Sequence, residues 1–185
     1  MKILLPFLAL LLPALVHADS FEGKVVAVSD GDTVKVLRPD KTLEKIRLLG
    51  IDAPEKKQDF GQKSKTFLTE KIAGRQVRVE FKKRDRYGRL LGKIWKGSED
   101  VNLSQVKAGL AWHYKQYRKE QSPEDAEAYA KAETQARTAL TGLWAGAVPT
   151  PPWEFRQNRK VASQSAPKRP KHLPRHVKRA RVSSW

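Results

Sequence analysis

The stretch Ile46-Arg47-Leu48-Leu49-Gly50-Ile51-Asp52-Ala53-Pro54-Glu55 decides how the rest of the chain is read. From Ile46 to Ile51 both alternating sets of positions are apolar, the pattern of a strand buried on its two faces. Arg47 is the exception, sharing its face with Leu49 and Ile51. A guanidinium there is costly unless an anion meets it. Asp52 and Glu55 follow at the strand's end, on either side of the Pro54 that stops pairing. Two carboxylates beside an inward arginine describe a site for a cation and a phosphate together. The plainer alternative makes Arg47 a structural partner of a carboxylate.

Upstream, Phe21 to Ser29 is Val-rich and reads as a strand. Asp30-Gly31-Asp32 turns it into a second strand, Thr33 to Leu37, forming a hairpin. Pro39-Asp40 turns the chain into the third strand, Leu43 to Ile51. Downstream, a charged loop leads to a helix from about Gly61 to Ala73, stopped by Gly74, with Ser64, Phe67, Leu68 and Ile72 facing inward. Gln76 to Lys82 alternates cleanly, turns through Asp85-Arg86-Tyr87-Gly88, and returns as a fifth strand from Leu90 to Trp95. Val101 to Ala108 predicts a short helix. Ser122-Pro123-Glu124-Asp125 is the strongest helix start in the chain, with a cap, a proline at the first helical position and acids in the first turn. That helix should run to about Leu140. Five short strands interleaved with helices predict an α+β fold around a partly closed barrel.

The length, 185 residues, suits one compact domain with ends. Residues 1–18 read as a secretory signal peptide: a basic start, an apolar run interrupted by Pro6 and Pro13, then Val16-His17-Ala18 as a cleavage site. Export to the periplasm or medium, with cleavage near Ala18 and no integral membrane segment in the mature chain, is the expectation. The domain is expected over 19–146, a Pro/Trp-rich extended connector over 147–155, and a basic disordered tail over 156–185. With no cysteine, a disulfide framework and a thiol nucleophile are excluded. The net charge is +17, and from Arg156 onward there are ten Lys/Arg and no Asp/Glu. Residues 19–155 hold 26 basic residues against 20 acidic ones, a balance of +6. Polyanions, nucleic acid first and anionic envelope surfaces second, are the partners such a balance attracts.

Three clusters could carry chemistry: Asp30-Gly31-Asp32-Thr33, Arg47 with Asp52-Ala53-Pro54-Glu55, and Asp85-Arg86-Tyr87-Gly88-Arg89. Singly each has an ordinary reading as a turn, a buried pair or an exposed hairpin charge. Together and in this order, with Val101-Asn102 and Gly109-Leu110-Ala111, they resemble the staphylococcal nuclease (thermonuclease) family across about Phe21 to Trp144. The resemblance implies a five-stranded OB-fold Greek-key barrel with three helices, and calcium-dependent hydrolysis of DNA and RNA leaving 3′-phosphate ends. It implies Asp32 and Asp52 as side-chain calcium ligands, with the backbone carbonyl of Ala53 as a third, where the family carries threonine. It implies Glu55 as the residue that activates water, and Arg47 and Arg89 as the groups that hold the phosphate. Arg86 and Tyr87 fall on positions that contact nucleotide. Tyr114 and Tyr117, with Trp112 and His113, occupy the region of the base-stacking tyrosine. The loop after Glu55 is shorter than the family's.

The residue types agree with this. Few carboxylates, a carbonyl and water make an oxygen site of calcium type, with weak affinity of roughly 10⁻⁴ to 10⁻³ M. Zinc is disfavoured, since His113 is the one histidine of the core and cysteine is absent. A single histidine more often packs or hydrogen-bonds. Two further readings stay open: an OB-fold that binds nucleic acid without cutting it, and a tail that clamps polyanions or is simply solvated. The enzyme is expected to act as a monomer.

Overall fold

The computed structural model describes residues 19–146 and 148–165; the expected signal peptide and the tail beyond 165 lie outside the described residues. In chain order the elements are β1 (Asp19–Asp30), β2 (Thr33–Leu37), β3 (Leu43–Leu48), β4 (Ile51–Asp52), α1 (Gly61–Ile72), β5 (Gln76–Arg84) and β6 (Leu90–Lys96). Then come β7 (Glu99–Asp100), α2 (Val101–Lys107), β8 (Trp112–His113), α3 (Pro123–Thr138) and α4 (Pro152–Ser165), with 3₁₀ turns at Lys115–Glu120 and Gly142–Ala145. Among the described residues no helix is long and apolar enough to cross a membrane.

β1 is long enough to serve two neighbours. Its first half pairs antiparallel with β5, Phe21 opposite Val79, and its second half with β2, Val28 opposite Val34. Register shifts after Val25 and Val28 let the strand bend between the two. β2 pairs with β3, and β3 lies parallel to β6, with Ile46 opposite Leu90 and Leu48 opposite Gly92. β6 returns to β5, so five strands close a barrel. This is the α+β OB-fold that the resemblance implied. Val25, Val34, Ile46, Leu48, Val79 and Ile94 fill it, each 1% exposed or less. Burying each such side chain contributes about 1.5–3 kcal/mol. α1 and α2 cap the barrel through Leu68, Ile72, Val101 and Val106, and α3 adds Tyr129 and Ala132.

The third strand is not continuous to Ile51. It ends at Leu48, turns through Leu49-Gly50, and resumes as β4, which leaves the barrel sheet and pairs with β8. Gly50 has φ +78, and a Cβ there would fall 2.3 Å from the Gln121 amide, so the turn requires glycine. Asn102, fully buried, braces it by donating to the Leu49 and Gly92 carbonyls at 3.0 Å while accepting from Ile94 N at 3.2 Å.

The three expected helices are present, and α4 is a fourth. It overturns the extended connector over 152–155 and the disorder expected from Arg156 to Ser165. Proline at its start and Glu154 in its first turn suit a helix N-terminus. Tertiary contacts do the rest. Trp153 packs edge-on to Trp112 at 6.4 Å, beside the Trp112–Trp144 pair at 5.4 Å, and Arg156 finds carboxylate partners.

Candidate active site

The β1–β2 turn, the β3–β4 turn and the β5–β6 hairpin all open onto one side of the barrel. Between them lies a cleft of about 800 Å³. Its walls include Asp32, Arg47, Asp52, Glu55, Arg89 and Arg156. Arg86, Tyr87, Tyr114 and Tyr117 stand on the same walls, so every residue the sequence singled out for the site, Ala53 included, meets there.

Asp32 is held from both sides. Its Oδ1 accepts from the Thr33 hydroxyl at 3.0 Å and its Oδ2 from the Ala53 N–H at 2.7 Å, which ties the first turn to the end of β4. That approach depends on Gly31, where a Cβ would lie 1.9 Å from Ser64 Oγ and 2.8 Å from Ala53 Cβ. Arg47 bridges the acids: Nη1 is 2.9 Å from Asp32 Oδ2, Nη2 donates to Asp52 Oδ1 at 2.8 Å, and Nη1 also donates to the Ile51 carbonyl at 3.0 Å. The anion that an inward arginine demanded is therefore, in this state, a pair of the chain's own carboxylates.

Asp52 is fully buried. Burial raises its carboxyl above the usual carboxylate range; Arg156 and Arg47 oppose that rise and Asp32 adds to it. Burial, and then the Asp32 charge, push the neighbouring Asp30 up to about 6. Among the described residues no three acidic or histidine side chains gather closely enough to ligate a metal by themselves. Asp32 and Asp52, with nearby backbone oxygens, could hold a hard divalent cation better than zinc, since every donor is oxygen.

Across the cleft, Asp85 shapes the β5–β6 hairpin. It accepts from the backbone N–H groups of Tyr87 and Arg89 and, at 2.7 Å, from Arg89 Nε. The Arg89 fork is thereby aimed by its other end. Tyr87 is 68% exposed, with Arg86 and Arg89 against its ring at 4.9 and 5.5 Å. Tyr114 and Tyr117 lie with ring centroids 5.0 Å apart. Burial, and then Asp52, push the Tyr114 phenol up, so it stays protonated. His113 takes no part in the cleft. It is buried, its Nε2 lies 2.9 Å from Gln121 Oε1, and its ring stands edge-on to Tyr129.

Two contacts escaped the sequence reading. Arg156 donates to both oxygens of Asp52 and to Glu55 Oε1, and Trp153 stacks on Tyr114 at 5.5 Å and 17°. The available signal was Pro151-Pro152-Trp153-Glu154, a helix start hidden in a proline-rich segment.

The chain resembles known proteins over most of its length. A family model described as "Staphylococcal nuclease homologue" matches residues 45–146. An Escherichia coli protein named "Uncharacterized endonuclease" is 41% identical over 138 residues, covering 74% of this chain and 86% of the relative. A Haemophilus influenzae protein of the same name is 38% identical over 162 residues, 86% of this chain and 88% of the relative. "Micrococcal nuclease" of Shigella flexneri is 36% identical over 152 residues, covering 77% and 84%.

Proposed function

The chain belongs to the staphylococcal nuclease family, and from its cleft we propose a calcium-dependent phosphodiesterase that hydrolyses DNA, with RNA as a second substrate class, leaving 3′-phosphate ends. The observation that carries this reading is that Asp32, Asp52 and Glu55 share one cleft with the guanidiniums of Arg47 and Arg89. The nuclease names of the relatives support the reaction class.

Asp32 and Asp52, with the Ala53 carbonyl, would hold calcium, which when bound supplies positive charge to the phosphate and to its attacking water. Glu55, with its side chain 35% exposed at the cleft, takes a proton from water as the water oxygen bonds to phosphorus. The bond from phosphorus to the 5′ oxygen breaks, that oxygen takes a proton from solvent water to leave as a 5′ hydroxyl, and Glu55 returns its proton to solvent. Arg47 and Arg89 hold the non-bridging oxygens, where negative charge grows most in the transition state. Tyr87, Tyr114 and Tyr117 offer apolar faces to sugar and base, and Arg86 a further charge. The leader-like pattern of residues 1–18 supports work outside the cytoplasm, and the basic residues after Arg156 support contact with polyanions.

The test is a divalent-ion series with single-stranded DNA and RNA and with the product ends identified. Cleavage is expected with calcium, lost in EGTA, with phosphate on the 3′ side. Full recovery by magnesium alone, or 5′-phosphate products, would overturn the assignment.

A further inference from the structure

α4 reaches the cleft through Arg156 and, beside it, covers one ring of the cleft wall, Tyr114, through Trp153. Arg156 Nη2 donates to Asp52 Oδ2 at 2.8 Å, and its Nη1 to Asp52 Oδ1 at 3.2 Å and Glu55 Oε1 at 2.9 Å. One guanidinium thus engages the carboxylate assigned to the cation and the one assigned to the attacking water. One turn earlier, Trp153 lies stacked on Tyr114. A base stacking on that face of Tyr114 would need the same space.

We propose that the first turns of α4 are an internal occupant of the cleft, Arg156 standing in for the cation at Asp52 and Trp153 for a base on Tyr114, and that cation binding displaces them. The inference rests on the reading of Asp32 and Asp52 as the cation's ligands. A divalent ion needs the Asp52 oxygens that the arginine fork now holds, and a fork on a carboxylate is a strong competitor. The fork is also releasable. The Arg156 side chain is 43% exposed, so its pairs are screened by water. Pro152 is the one buried residue of α4, with Trp153 and Phe155 partly buried, so the helix is held by its first turns alone. The segment leading into it, Val148 to Pro151, carries no regular structure, and Gln58 Nε2 donating to the Thr150 carbonyl is the hydrogen bond seen between it and the domain.

Calcium chloride titrated calorimetrically into the full chain tests this, with two variants beside the wild type. Arg156→Gln should bind calcium about three- to fivefold tighter, the gain from losing a competitor worth roughly one half-exposed ion pair. Arg159→Gln removes the same charge from the same helix at a residue that lies over the Phe155 ring, and its affinity should stay within about twofold of wild type. Calcium should also speed amide hydrogen exchange across residues 152–160 of the wild type. Equal or weaker binding by Arg156→Gln, an equal gain in Arg159→Gln, or unchanged or slower exchange would overturn the internal occupant while leaving the cation site standing. No calcium binding by any of the three would overturn the cation reading and this inference with it.

Discussion

Arg47 and Asp52 are joined by a 2.8 Å hydrogen bond that ties β3 to β4 across the Leu49-Gly50 turn. The same guanidinium neutralises Asp32, and its side chain is only 11% exposed. Arg47→Ala leaves two buried carboxylates without it. We expect unfolding free energy to fall by about 3 kcal/mol in urea melts at neutral pH, with calcium restoring part of the loss. Arg47→Lys keeps charge but not the fork, and should lower turnover about 10²-fold. Unchanged melts for the alanine variant would mean that the bridge is not a structural element.

The barrel was legible because its strands carry their own signals. The Asp-Gly turn at Asp30, the alternation from Gln76 to Lys82, and the glycine or proline at each boundary are local. The break at Leu49-Gly50 was not, since an unbroken apolar run hides a turn when both of its halves are buried. The site residues could be named because Asp32, Arg47, Asp52, Glu55 and Arg89 sit in motifs, yet their meeting is a product of the β3–β6 closure. The sequence left Arg47 open between a phosphate and a carboxylate partner, and the fold gives it two carboxylates. α4 was misread for a plain reason. Pro, Lys and Arg argue for disorder locally, and what orders Trp153 and Arg156 is an aromatic cluster and two acids about a hundred residues earlier in some cases.

Asn102 carries the next expectation. Its amide satisfies Leu49 O, Gly92 O and Ile94 N, all with the side chain fully buried. Asn102→Ala removes this partner from Leu49 O and Ile94 N, while Gly92 O keeps the Leu49 N–H, and should cost about 3 kcal/mol. Because the bonds position the turn before Asp52, calcium affinity should weaken in the fraction that stays folded. Calorimetry at a temperature well below the variant's melt checks this, and wild-type affinity would detach the turn from the site.

His113 predicts a pH dependence of stability. Burial holds its imidazole below the ordinary value of 6.5, with Lys115 and Arg118 acting the same way and Gln121 and Glu133 opposing. The unfolded chain therefore binds a proton that the folded chain refuses. This contribution is fully present above about pH 6.5 and declines as pH falls below it, by up to about 1.4 kcal/mol per pH unit. Urea midpoints at pH 7.5 and 5.5 should fall less steeply in His113→Gln than in the wild type. Parallel slopes would remove His113 as the cause.

The most direct measurement of the nuclease reading is single-turnover cleavage of single-stranded DNA by Glu55→Gln in saturating calcium, beside the wild type. The substitution keeps the side chain's size and removes its ability to take a proton. A rate lower by about 10²- to 10⁴-fold, with calcium binding retained, is the predicted result. A rate equal to the wild type's would contradict the assignment of Glu55 and of the cleft it serves.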